Sequence, residues 1–252
     1  TAKVRAQLLA VALEGCAPTR GVADSGAVDD AAAAADGAAA AHGLTCVPLQ
    51  GSGTFAVEAM LAQFAPRAGS GGALLVLSNG AYGRRMAAIC AAHGLPHELL
   101  ESAEDAPLDA AALGAALRAA PHLTHVALVH CETTTGVLNP LPELTAAVAA
   151  AGRRLLVDAM SSFGLVPLHN AAGGSVEGGG AEGGGALLPF DALAASSNKA
   201  LQGSPGLGFV IAREAALAAT AGNADTLALD LHAQWRGLER DGQWRFTPPT
   251  HG

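Results

Sequence analysis

The sequence predicts an α/β domain: a mostly parallel, mixed sheet flanked by helices. Three observations lead there. From Leu44 onward, short β-leaning runs alternate with helical segments of roughly 10 to 15 residues, the rhythm of right-handed βαβ units. Several runs, such as Ala73 to Leu77 and the Val126-Ala127-Leu128-Val129 centre of Thr124 to His130, are apolar enough to be buried strands. Polar or small-residue loops follow three of these strands, at 78–83, 131–136 and 158–162, where α/β sheets bind ligands.

The elements follow in order. Residues 1–43 form an Ala-rich N-terminal segment. Within it, Lys3 to Leu13 reads as a helix with Val4, Leu8 and Val11 on one face, and 29–42 as a second, alanine-driven helix. Leu44 to Leu49 is a strand. Gln50-Gly51-Ser52-Gly53-Thr54 turns into a helix over Phe55 to Leu61. Arg84 to His93 is a helix stopped by Gly94. His97 to Leu100 is a strand, Leu108 to Ala119 a helix, and Thr124 to His130 a strand. Cys131 to Val137 is a polar loop, Leu141 to Ala151 a helix, and Arg153 to Asp158 a strand ending in an acid. Three glycine clusters in 171–186 mark a flexible surface insertion rather than a boundary, because the strand pattern resumes at Phe190. Leu207 to Ala212 is the last strand and Glu214 to about Ala221 the last helix. The tail from Leu227 ends in a Pro-rich turn with no closing element. The domain proper is therefore 44–252.

Composition narrows the partners. The net charge of −8, with no Lys/Arg cluster, argues against nucleic acid. No apolar run reads as a membrane span. Cys16, Cys46, Cys90 and Cys131 lack metal-like spacing and read as free thiols of a reducing compartment, although spacing does not exclude disulfides. The cytoplasm is the expected location, with an organelle left open. No metal site is expected.

Two side chains carry chemistry. Lys199, in Ser197-Asn198-Lys199, is either a surface lysine that snorkels or an amine that forms a Schiff base. Asp158 at its strand end is either a cap or the carboxylate that a pyridoxal phosphate ring nitrogen requires. Together they suit pyridoxal 5'-phosphate. Gly53 and Thr54 offer a phosphate cup at a helix start, where an ordinary N-cap is the plainer reading. Tyr82 could lie flat on the ring or be a plain aromatic. Thr133 offers a hydroxyl to the ring oxygen or is a turn residue.

The segments Gln50 to Phe55, Ser78 to Gly83, His130 to Gly136, Val157 to Gly164, Ser197 to Lys199, Gln202 to Gly206 and Gln243 to His251 resemble the 2-aminoethylphosphonate–pyruvate aminotransferases. These belong to the class V group of fold type I pyridoxal phosphate enzymes. The resemblance covers 44–252 apart from the glycine insertion. It implies a fold type I large domain that moves the amino group of 2-aminoethylphosphonate to pyruvate. Lys199 would be the catalytic amine, Asp158 the partner of the ring nitrogen, and Met160 and Tyr82 the packing on the two ring faces. Gly53, Thr54 and Asn198 would help hold the phosphate. Thr250 would reach it across a homodimer interface.

The sequence departs from the family in two places. Family members continue into a small C-terminal domain with a substrate-clamping arginine, whereas this sequence ends at Gly252 and offers no residue for that role. Residues 1–43 do not match the family's N-terminal arm. The alternatives are another class V aminotransferase, of alanine–glyoxylate or serine–glyoxylate type, and a truncated remnant of the fold without activity. A dinucleotide enzyme fits poorly, since no G-x-G-x-x-G follows the first strand.

Overall fold

The computed structural model describes residues 2–14, 42–169 and 186–247. The expected helix over 29–42 lies outside them except for His42, the glycine insertion except for Ala186, and so does Thr250.

The described strands are β1 (Leu44–Gln50), β2 (Ala73–Ser78), β3 (His97–Glu101), β4 (Leu123–Val129), β5 (Cys131–Glu132), β6 (Val137–Leu138), β7 (Arg154–Asp158), β8 (Ala192–Ser196) and β9 (Leu207–Arg213). The described helices are α1 (Ala2–Glu14), α2 (Gly53–Phe64), α3 (Ala81–Ala92), α4 (Ala110–Ala119), α5 (Leu141–Ala150), α6 (Glu214–Ala218) and α7 (Leu231–Asp241). Seven strands form one sheet in the order β1-β9-β8-β7-β4-β2-β3. Pairing is parallel from β8 through β7, β4 and β2 to β3, while β9 runs antiparallel between β8 and β1. The sheet is therefore mixed and mostly parallel, the parallel part being what the alternation predicts.

Strand alternation divides the core into two layers. Leu75 and Leu77, Val126 and Leu128, and Leu155 and Val157 face one layer, which α1, α4 and α5 cover. Leu74 and Val76, Ala127 and Val129, and Leu156 face the other, covered by α2, α3, α6 and α7. Side chains alternate with a period of two, so strands this apolar must be covered on both faces. The helix of the Ala-rich segment shares this core: Leu8, Leu9, Val11 and Ala12 are buried in the first layer. Arg5 anchors it, its guanidinium donating to the Cys46 carbonyl at 2.9 Å.

Four local expectations change. α3 begins at Ala81, so Tyr82 and Gly83 belong to its first turn rather than to a loop. Cys131 to Val137 is not a plain loop, because Cys131 and Glu132 pair with Leu138 and Val137 in a short hairpin. The last expected helix stops at Ala218. The tail contains a full helix, α7, whose buried Leu231, Gln234, Trp235 and Leu238 recur at helical spacing. The side chain of Asp230 caps it, accepting from Ala233 N–H at 2.8 Å, and Gly242 closes it at φ +65°. On either side of the glycine-rich stretch, His169 and Leu187 bridge antiparallel.

Candidate active site

Position along the strands selects what can meet. β1, β2, β7 and β8 run parallel, so the loop into α2, the loop into α3 and the ends of β7 and β8 all open at the same sheet edge. Asp158 lies two residues beyond Leu156, so it shares the face covered by α2 and α3. Ser196 lies two beyond Ala194 on the same face, and Ala194 pairs directly with Asp158.

A cavity of about 190 Å³ opens there. It is lined by Ser52, Gly53 and Thr54 of the α2 start, Tyr82 and Arg85 of α3, Asp158 and Met160 beyond β7, and Ser196, Asn198 and Lys199 beyond β8. That volume is more than ten times what a single water requires. Seven of the nine residues expected from the sequence line it: Gly53, Thr54, Tyr82, Asp158, Met160, Asn198 and Lys199. Thr133 is not among the lining residues, and its hydroxyl shares a 2.6 Å hydrogen bond with Ser161.

Asp158 is 3% exposed and held from both sides. Its carbonyl accepts from His130 N–H at 2.8 Å, and its Oδ1 accepts from Met160 N–H at 2.9 Å. Burial pushes its carboxyl up to about 6. The Met160 amide opposes that rise, Glu132 adds to it, and the Arg85 and Lys199 cations pull against it.

Backbone bonds brace the loop that carries Lys199. Gln202 N–H donates to the Lys199 carbonyl at 2.9 Å, and Gly203 N–H donates to the Ser197 carbonyl at 2.7 Å. Ser196 Oγ donates to Asn198 Oδ1 at 2.9 Å. The same loop holds the α2 start, since Gly51 N–H donates to the Gly206 carbonyl at 2.9 Å. Gly51 has φ +137°, a conformation L side chains rarely adopt. Ser52 sits at the N-cap of α2, but its side chain makes no capping bond; Phe55 N–H donates to the Ser52 carbonyl at 3.0 Å, which leaves the Gly53 and Thr54 amides for a ligand anion.

Sequence reasoning missed Ser52, Val57, Arg85, Met86, Ile89 and Ser196, which also line the cavity. Placing the α3 start at residue 84 left Tyr82 off the helix. With the start at Ala81, residues 82, 85, 86 and 89 form one helical stripe. The Arg85 guanidinium lies 4.5 Å from the Tyr82 ring centroid, a cation–π contact at the cavity wall.

The residues fit pyridoxal phosphate. A buried carboxylate at a strand end, an amine beyond the neighbouring strand, an aromatic ring and a helix start with free amides share one cavity. An α/β sheet with this carboxyl-edge site is the architecture of a fold type I pyridoxal phosphate aminotransferase. The model of the family "Aminotransferase class-V" matches residues 39–175, and the chain belongs to that family. Within it, the chain is 52% identical over 206 residues to the 2-aminoethylphosphonate–pyruvate transaminase of Pseudomonas putida strain GB-1, covering 82% of this chain and 51% of that protein. Among solved structures, it is similar to pyridoxamine-pyruvate aminotransferase of Mesorhizobium loti, with TM-score 0.64, 26% identity, and 81% of this chain matched to 48% of that one. It is also similar to the subgroup IV aspartate aminotransferase of Thermus thermophilus, with TM-score 0.63, 28% identity, and 81% of this chain matched to 52% of that one. The chain spans about half the length of the curated relatives it matches. Among the described residues no helix is long and apolar enough to cross a membrane.

Proposed function

We propose that the protein is a pyridoxal phosphate-dependent transaminase that moves the amino group of 2-aminoethylphosphonate to pyruvate, giving phosphonoacetaldehyde and alanine. The observation that carries this reading is the placement of Lys199 and Asp158 on one cavity, at the same edge of adjacent parallel strands. The identity to curated transaminases of that name supports the choice of donor and acceptor.

When bound, pyridoxal phosphate supplies an electron sink that stabilises negative charge on the donor's reacting carbon. The chain's own residues do the rest. Lys199 is the candidate nucleophile: its Nζ would hold the cofactor and, when free, would move the proton at the donor's reacting carbon. Asp158 would serve the ring nitrogen as a carboxylate, and with its carboxyl raised to about 6 it is mostly ionised at neutral pH. The free amides at the α2 start, the Thr54 hydroxyl and Asn198 hold the phosphate. Tyr82 and Met160, which line the cavity, would pack the two ring faces. Thr133, hydrogen-bonded to Ser161 here, is the hydroxyl proposed for the ring oxygen. Thr250 remains assigned to the phosphate of the partner subunit in a homodimer. We assign the protein to the cytoplasm, in keeping with the free Cys46, Cys90 and Cys131.

The test is amino transfer by the purified chain with pyridoxal phosphate, 2-aminoethylphosphonate and pyruvate, read as alanine formed. Alanine or serine with glyoxylate serves as the competing pair. Faster turnover of a glyoxylate pair, or no uptake of cofactor into an absorbing form near the visible edge, overturns the reading.

A further inference from the structure

Glu132 is a fully buried carboxylate that no step above uses. Its Oε2 accepts from Tyr82 N–H at 3.1 Å. Its Oε1 accepts from the Thr134 hydroxyl at 2.9 Å and from Thr134 N–H at 3.3 Å. All three partners donate, which suits an acceptor-only carboxylate and would leave the amide of a glutamine partly mismatched. Its neighbour across the gap is Gly80, where any β-carbon would overlap the Glu132 side chain. Burying a carboxylate is costly unless it is hydrogen-bonded, and here every bond goes to one of two segments, the first turn of α3 or the turn that follows β5. The first carries Tyr82, which lines the cavity; the second carries Thr133 and Thr134.

We propose that Glu132 is a positioning residue for the cofactor: its carboxylate ties the first turn of α3 to the Thr133–Thr134 turn, and thereby fixes the Tyr82 ring on the cavity. The proposal rests on the pyridoxal phosphate reading. The Glu132 charge also bears on the chemistry directly, because it raises the proton affinity of Asp158 across the cavity wall.

Tyr82 is the only tyrosine in the sequence, so incorporation of 15N-tyrosine gives a single amide signal that reports this contact without any cofactor. In the full chain that amide should be protected from solvent exchange. Glu132→Gln and Glu132→Ala should move the signal and speed its exchange at least tenfold. Titrated with pyridoxal phosphate, both variants should bind about tenfold more weakly, and the bound cofactor should show weaker induced circular dichroism. Thr134→Val, which withdraws one donor and leaves the carboxylate in place, should give the same changes in smaller measure and serves where the Glu132 variants do not fold. An unmoved Tyr82 amide, or a moved amide with unchanged cofactor affinity and dichroism, overturns the proposal. No cofactor uptake by the unaltered chain overturns the pyridoxal phosphate reading and this role with it. The amide result distinguishes that failure from failure of the clamp.

Discussion

Gly53 and Met160 meet so closely that residue 53 has no room for a side chain: a β-carbon there would overlap the Met160 sulfur. One residue opens α2 and the other follows β7, so this contact sets how near the proposed phosphate end of the cavity lies to the Asp158 end.

Gly53→Ala should therefore act on binding more than on stability. The clashing atoms are the far end of a flexible side chain, which can swing into the cavity. We expect a loss below about 1 kcal/mol in urea unfolding, together with a roughly tenfold loss in pyridoxal phosphate affinity. Adding Met160→Ala should return part of that affinity, a coupling that a double-mutant cycle measures. Strictly additive effects would show that the two residues do not constrain each other.

Lys199→Ala should abolish turnover and the absorbance near the visible edge. In the unaltered chain, borohydride should fix the cofactor on Lys199, readable as a mass increase on the peptide containing it, and the variant should take no label. Transamination surviving in Lys199→Ala would remove this lysine from the mechanism.

Asp158 gives a pH signature in stability. Burial raises its folded value to about 6 from an ordinary 3.8, so between those values the folded state binds more protons than the unfolded one. Its contribution is fully present below 3.8 and is lost as pH rises through 6, a change of about 3 kcal/mol. His125 and His130, which burial holds down to about 4, act in the opposite direction: their contribution is present above 6.5 and is lost as pH falls toward 4. Only a difference between variants isolates the aspartate. Relative to Asp158→Asn, the unaltered chain should lose about 2.4 kcal/mol between pH 4 and pH 7 in denaturant titrations. A flat difference would show that Asp158 is not held near 6.

Gly208→Ala tests the seam between the lysine loop and α2. A β-carbon at 208 would lie 3.1 Å from both the Ser52 carbonyl oxygen and the Ala56 β-carbon. Both neighbours belong to or adjoin the rigid start of the helix, so the strain has no flexible side chain to absorb it. The expected cost is about 1–3 kcal/mol in unfolding, with weaker cofactor binding as α2 moves off the Lys199 loop. An unchanged unfolding midpoint with unchanged affinity would argue against tight registration of the two.

Legibility in the sequence followed the range of the interactions. Ala73 to Leu77 and the Val126–Val129 run could be read as strands because their burial is written in consecutive apolar residues. α7 was equally local, with Asp230 before it, Gly242 after it and apolar residues at helical spacing between, yet the prolines that follow drew the reading toward a turn. The start of α3 was harder. Gly80 and Gly83 look like turn residues, but contacts explain both: a side chain at 80 would overlap Glu132, and one at 83 would press on Ser78 at 2.6 Å.

By itself the sequence determined the alternation of strands and helices and the apolar character of the buried strands, because each is set by residue type and by periods of two or 3.6, and it put forward the lysine and the aspartate that line one cavity. The tertiary structure alone decided that β9 runs against its neighbours and that Tyr82 and Arg85 share a helical stripe on the cavity. It alone revealed that a buried glutamate joins the first turn of α3 to the Thr133–Thr134 turn. The pairing of β9 with β1, more than 150 positions away, and the bond from Tyr82 to Glu132, 50 positions away, depend on which distant segments lie side by side, and such contacts leave no periodic trace in the chain.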